Sequence, residues 1–158
     1  MTHDELLDGW QAAWSGKDPA AFDPLVADDV HYEDPFTPPL TGPRELVAHA
    51  KRLWQMFPDV RVEQTGPRMT SGDHVSGPLK LVATHRGELD NLPPTGRFIV
   101  VQAVVVAERH PDSGLLWRVR TFLDAYGAGQ QIGLLPEPGS LGGKALLMLR
   151  GFGLRSRT

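Results

Sequence analysis

The order of patterns along the chain predicts an α+β fold. Apolar residues recur at helical spacing in most of the chain up to Phe57, strand-like spacing takes over from Val60, and Phe98 to Ala107 is apolar on both faces. With 158 residues and 41% hydrophobic content, one domain suffices, long enough to bury roughly 70% of the surface its unfolded chain exposes.

Thr2-His3-Asp4-Glu5 has the spacing of a capping box and predicts a helix after it. Leu6, Leu7, Trp10, Ala13 and Trp14 form its apolar stripe, and Gly16 is placed to supply the left-handed stop. Asp18-Pro19 reads as the cap and first turn of a short second helix carrying Ala21, Phe22 and Leu25. Trp10, Trp14 and Phe22 are candidate core. Val30 to Pro35 reads as a short strand, followed by the Pro-rich connection Phe36 to Leu40. His31 and Glu33 share one face of that strand, Tyr32 and Asp34 the other, and either pair lines a site or meets water. Gly42-Pro43-Arg44-Glu45 opens a third helix, because proline's missing amide proton costs nothing in the first turn. Its apolar residues, Leu46, Val47, Ala50, Leu53, Trp54 and Phe57, contribute on the order of 10 kcal/mol before chain entropy, at ~1.5 to 3 kcal/mol per large side chain.

A strand begins at Val60 to Val62, turns follow at Gly66-Pro67 and Ser71-Gly72-Asp73, and a longer strand runs from about His74 to Leu89. After the turn Asn91 to Gly96 comes Arg97 to Arg109, the most apolar stretch. Phe98, Val100, Gln102, Val104 and Val106 face one way, and Ile99, Val101, Ala103, Val105 and Ala107 the other. Both faces are expected to be buried, one under the helices and one under a second subunit, with Val101 and Val105 on the outer side of a homodimer. His110 to Gly114 turns the chain into an antiparallel hairpin.

On the returning strand Trp117, Val119, Thr121 and Leu123 share one side, and Arg118, Arg120, Phe122 and Asp124 the other. The second row is either a solvated face or the polar wall of a concave site. The wall is the expectation, with Asp124 placing one acid in a cavity. Past Pro136 the composition turns to Pro, Gly and Ser and then to Leu141 to Arg150, a short apolar helix weakened by two glycines and expected to fold back on the body. Residues 1–136 form the expected domain and 137–158 a C-terminal extension.

Net charge is −3, from 16 Lys and Arg against 19 Asp and Glu, with nine acids and one lysine in residues 1–34. That balance argues against a nucleic-acid face. The four cations Lys144, Arg150, Arg155 and Arg157 near the chain end read as a solvated terminus. There is no cysteine, so thiolate chemistry is excluded. The amino terminus lacks a basic and apolar leader, and Ile99 to Ala107 is too short to span a bilayer, so a cytoplasmic protein with no membrane partner is expected. The six histidines show no metal-ligand spacing, and no phosphate-binding glycine loop or Gly-x-Ser-x-Gly elbow occurs. What remains is acid/base chemistry by carboxylate, histidine and tyrosine in an apolar cavity, without metal or cofactor.

The motifs Y-E-D-P-F at 32–36, L-T-G-P-R-E-L at 40–46, F-P-D-V at 57–60, T-H-R-G-E-L at 84–89, P-P-T-G-R at 93–97 and F-L-D-A-Y-G-A-G-Q-Q-I-G-L-L-P at 122–136 carry a resemblance. In that order and spacing the chain resembles the SnoaL-like polyketide cyclases of the nuclear transport factor 2-like superfamily, over about residues 5–136. The resemblance implies a cone-shaped α+β barrel, a curved antiparallel sheet wrapped around N-terminal helices, dimerising through the sheet's outer face. It also implies a metal-free aldol cyclisation of a small apolar, carbonyl-rich substrate, with Asp124 as acid/base and His85 matching the family's T-H-x-G histidine. Tyr32, Asp34, Trp54, Arg120 and Phe122 are the candidate substrate contacts. Arg86, and Leu89-Asp90-Asn91 in place of Phe-x-Gly, depart from the family pattern at the expected pocket rim. A non-catalytic small-molecule binder is the alternative. An epoxide hydrolase, which needs an Asp-Arg-Asp relay, ranks third.

Overall fold

The computed structural model describes residues 1–89 and 91–149. The first helix, α1, spans His3–Gly16 and opens on the expected capping box, with Thr2 Oγ1 accepting from the Glu5 amide and the Glu5 carboxylate accepting from the Thr2 amide. Its left-handed stop is Lys17, at φ 58°, rather than Gly16. The stop has to sit where its amide reaches the carbonyl four residues back, and Lys17 does so to Ala13. A 3-10 turn, Pro19–Phe22, follows, capped by Asp18. Then come β1 (Val26–Glu33), β2 (Leu40–Thr41) and α2 (Pro43–Met56). The second half supplies β3 (Arg61–Gln64), β4 (Met69–Ser71), β5 (His74–Thr84), β6 (Phe98–Arg109) and β7 (Leu116–Leu123), then α3 (Ala125–Ile132) and α4 (Leu141–Leu149). Among the described residues no helix is long and apolar enough to cross a membrane.

The seven strands form one curved, unclosed sheet in the order β2-β1-β7-β6-β5-β3, with β4 on β5, wrapped around the helices in an α+β cone. It is mixed, not wholly antiparallel as expected, because β1 pairs β7 in parallel. Parallel neighbours need a long crossover, and α2 and five strands separate these two in sequence. Strand β5 stops at Thr84, short of the expected Leu89, and Arg86 and Gly87 turn back to donate their amides to the Met56 carbonyl at the end of α2. Glycine is required there, since a side-chain carbon at position 87 would run into the Gln55 carbonyl.

The burial of β6 corrects which of its two faces is the outer one. Ile99, Val101, Ala103, Val105 and Ala107 point into the core, while Phe98 is 60% and Val104 39% exposed. Val101 and Val105 are therefore inner residues, and Val100 and Val104 are the outer ones. Alternation assigns the two sets, but where both are apolar it does not say which set is inside. A bulge alters β7 as well: Arg118 pairs Glu108 and Leu116 pairs Arg109, which leaves Trp117 as the extra residue. Leu116 is buried, and Trp117 lies on the outer face under the Arg118 guanidinium, 4.2 Å from its ring centre.

The core joins α1, the 3-10 turn, β1 and α2 through an aromatic cluster. Trp10 meets Trp14 and Phe22 edge to face at 5.8 and 5.5 Å, and Phe22 stacks on Trp54 at 6.3 Å. Helix α3 was not expected from its two internal glycines. It is capped by Asp124 and pinned by Gln131, whose Oε1 accepts from the Val100 amide at 2.7 Å while Nε2 donates to the Val100 carbonyl at 2.9 Å. That side chain fills the place beside β6 that β7 vacates after Leu123. Helix α4 buries none of its residues, so the expected packing of this stretch onto the body is not seen. The cations Arg150, Arg155 and Arg157 lie outside the described residues.

Val105 is fully buried. Val105→Glu leaves an uncompensated charge in the core and is expected to cost at least ~3 kcal/mol, read as a fall in the urea midpoint or loss of the cooperative transition.

Candidate active site

Between the helices and the concave face of the sheet lies a cavity of about 540 Å³. Trp10 and Trp14 of α1, Leu79, Ile99 and Val101 of the sheet, and Ile132 of α3 give it an apolar wall. Apart from the indoles, the polar side chains that line it are those of Tyr32, Asp34, Arg52 and Thr121, and Asp34 is its one carboxylate among the described residues. Exposed Phe36, Arg52 and Leu134 mark its mouth.

Local structure explains how a charge comes to sit there. Tyr32 is an inward residue of β1, and Asp34 is the first residue after that strand, on the same side two positions on. Pro35 cannot continue the ladder, and the Asp34 carboxylate turns to accept the Phe36 amide at Oδ1, 2.7 Å. Its Oδ2 bonds the Tyr32 hydroxyl at 2.9 Å and His49 Nε2 at 2.7 Å. His49 lies on the buried stripe of α2, between Leu46 and Ala50 at helical spacing. Both side chains of the Asp34–His49 pair are 2% exposed.

The protons can be placed. Arg52 Nη2 lies 3.1 Å from His49 Nδ1, and a guanidinium only donates, so Nδ1 is the acceptor and Nε2 carries the hydrogen that goes to Asp34. Three of the four lone-pair positions of the Asp34 carboxylate are thereby taken, and one remains, on Oδ1. Burial would raise the Asp34 pKa, but the hydrogen bond and the electrostatic attraction of His49, with the hydrogen bonds from Phe36 and Tyr32, together outweigh it and hold the group below the ordinary 3.8. Burial, and then the Asp34 charge, push the Tyr32 hydroxyl well above its ordinary value, with Thr121 opposing them. Tyr32 therefore stays protonated and donates.

The other sequence candidates lie elsewhere. Asp124 is exposed and caps α3, accepting the Gly127 amide at 2.8 Å. Arg118, Arg120 and Phe122 are on the solvated outer face, which corrects the expected polar wall, and the inner face is the one carrying Val119, Thr121 and Leu123. Arg120 pairs with Glu33 across the parallel strands at 3.3 Å, and Phe122 is 57% exposed. Trp54 is core, donating its indole hydrogen to the Trp14 carbonyl at 3.0 Å. His85 is fully buried behind the cavity-lining Phe57, with rings 5.7 Å apart. Its Nδ1 accepts the Thr95 amide at 3.2 Å, which puts the hydrogen on Nε2, a nitrogen with no partner among the described residues. Of the sequence candidates, only Tyr32 and Asp34 meet in the cavity. His49, Arg52 and Thr121 were missed. A histidine on the apolar stripe of α2 was the available signal for the first.

A curved sheet closed over a helix-backed apolar cavity is the fold of the nuclear transport factor 2-like proteins. Within it the chain belongs to the SnoaL-like polyketide cyclase family, whose model matches residues 4–132. No curated protein matches the sequence. Among solved structures it is similar to TsrD from Streptomyces laurentii, with TM-score 0.73 and 19% identity over 84% of this chain and 95% of that one. A protein of ketosteroid isomerase-like fold from Catenulispora acidiphila, in complex with trimethylamine, gives 0.71 and 22% over 84% and 95%. IdmH from Streptomyces antibioticus, a candidate polyketide cyclase, gives 0.69 and 21% over 82% and 97%. At these identities the likeness shows the fold.

Because its folded pKa lies below the unfolded one, the Asp34 carboxylate contributes stability that is complete above about pH 4 and is lost as pH falls through the folded value. Acid titration of unfolding free energy should show a steeper decline below about pH 4 for the natural chain than for Asp34→Asn. Equal slopes would remove Asp34 from the acid-sensitive groups.

Proposed function

We propose that the protein is an acid/base enzyme of the cyclase or isomerase type, acting with its own side chains on a small, apolar, carbonyl-rich substrate of the polyketide kind. The observation that carries this reading is Asp34, the one carboxylate among the described residues that line a largely apolar cavity, with one lone pair left on Oδ1. A carboxylate held below its ordinary pKa is a weak base. It removes a proton from carbon only where neighbouring carbonyls spread the enolate charge, so the substrate has to supply that acidity. Apolar walls of this size suit a fused-ring or folded polyketone. The role that the resemblance gives to Asp124 passes in this reading to Asp34, since Asp124 already caps α3 in solvent. His85, with its ring behind Phe57, supports the wall. An Asp-Arg-Asp relay finds Arg52 but no second acid among the described lining residues.

A non-catalytic carrier is favoured by a specific observation too: three of the four Asp34 acceptor positions are spent inside the protein. Asp34→Asn separates the two. If the residue is the base, turnover of an aromatic polyketone found by screening drops at least about 100-fold while ligand binding persists. A carrier returns its ligand chemically unchanged from both proteins, as mass spectrometry would show.

The same proposal includes a homodimer through the outer sheet face. Val104 and Phe122 are exposed cross-strand partners there, and Val100 and Phe98 lie further along the same face of β6, beyond Gln102. Val104→Glu is expected to convert dimer to monomer in light scattering without unfolding the chain. A natural chain that is monomeric at micromolar concentration would falsify the dimer.

A further inference from the structure

Arg52 is the one cation that lines the cavity among the described residues, and it has no carboxylate within 4 Å among them. Its Nη2 faces two neutral acceptors, His49 Nδ1 at 3.1 Å and the Phe36 carbonyl at 3.3 Å. The three N–H groups on Nε and Nη1 have no acceptor among the described residues. Arg52 and Asp34 stand on opposite nitrogens of one imidazole and on opposite ends of one residue, since the Phe36 amide goes to Asp34 and its carbonyl takes Arg52. A base and a cation are thus held in fixed relation beside the same apolar space.

We propose that Arg52 is a catalytic residue that holds the enolate oxygen formed when Asp34 removes the proton. This rests on the acid/base reading of Asp34. In the step, the C–H bond next to a carbonyl breaks and the proton goes to Asp34 Oδ1. The released electron pair forms the enolate C=C bond, and the carbonyl π pair moves onto oxygen, beside the Arg52 guanidinium. Nothing is oxidised or reduced. Before transfer the site carries one negative charge on Asp34 and one positive on Arg52, and afterwards the negative charge is on the ligand. Over the described lining residues the charge sum stays at zero while the charge moves toward its partner. Low-dielectric walls make such a fixed donor effective, because it needs no reorganisation as the charge arrives. The ligand class follows: an apolar body with an enolisable 1,3-dicarbonyl unit directed at the mouth of the cavity.

The probe is benzoylacetone, an aromatic 1,3-diketone whose enol and enolate differ in ultraviolet absorption, titrated with pH while bound. A nearby cation favours the anion, so removing it raises the pH at which the bound probe ionises. Arg52→Met is expected to raise that pH by about one unit, a tenfold loss of preference for the enolate, with Arg52→Lys recovering much of it. Arg52 is exposed at the mouth, so both variants should fold, as circular dichroism will confirm. An unchanged ionisation pH in Arg52→Met overturns the proposal, and so does a natural chain that shows no saturable binding of the probe. Asp34→Asn is the parallel control. Loss of that negative charge should lower the ionisation pH of the bound probe, and if only this arm fails, the Asp34 reading falls while the Arg52 contact stands.

Discussion

A carboxylate that is 2% exposed has to be compensated where it sits, and the arrangement around Asp34 is organised by that requirement. Its three donors come from three places: Tyr32 inside β1, Phe36 in the connection after it, and His49 on the buried face of α2. The end of a strand, a loop and a helix are thereby tied to one group. Arg52, one turn further along α2, donates to the other nitrogen of His49 and so agrees with the tautomer that gives Asp34 the Nε2 hydrogen. An apolar cavity with a charged wall therefore depends on a polar chain that runs from the interior to solvent.

The aromatic cluster does complementary work on the opposite side of the same residues. Tyr32 packs its ring against Trp10 and Trp14 at 5.7 and 6.1 Å while its hydroxyl bonds Asp34. Trp14 meets Trp54 edge to face and so joins α1 to α2, while Trp10 and Trp14 still present open surface to the cavity and are core and lining at once. Reading them as only one or the other misses how the fold keeps a void of this size.

Much of the fold was legible because local chemistry and tertiary structure agree. The capping box before α1, the stripe Leu6, Leu7, Trp10, Ala13, Trp14, and proline at the first turn of α2 all hold. Sidedness was less legible. Alternation sorts β6 and β7 into two sets of residues, but which set faces the helices is decided by the whole sheet, and the Trp117 bulge interrupts the alternation itself. The parallel pairing of β1 with β7 and the formation of α3 depend on contacts far apart in sequence. For the site, Tyr32 and Asp34 could be paired by strand spacing alone. His49 and Arg52 join them across a connection and a helix, and no spacing rule within one element reaches that far.

Gln131 gives the cavity roof a distinctive attachment. Its amide imitates a peptide unit and completes the hydrogen bonding of Val100 where the sheet has run out of strand. An apolar docking face is released only against the hydrophobic effect, whereas two hydrogen bonds to a side chain can be exchanged for two to water at small net cost. The roof that Ala128 and Ile132 contribute is therefore held in two ways, by the burial of those two side chains in the core and by a pair of hydrogen bonds that sets α3 against β6. The Val100 amide proton is bonded to a side chain rather than to a neighbouring strand, so its exchange with solvent deuterium reports how often Gln131 lets go.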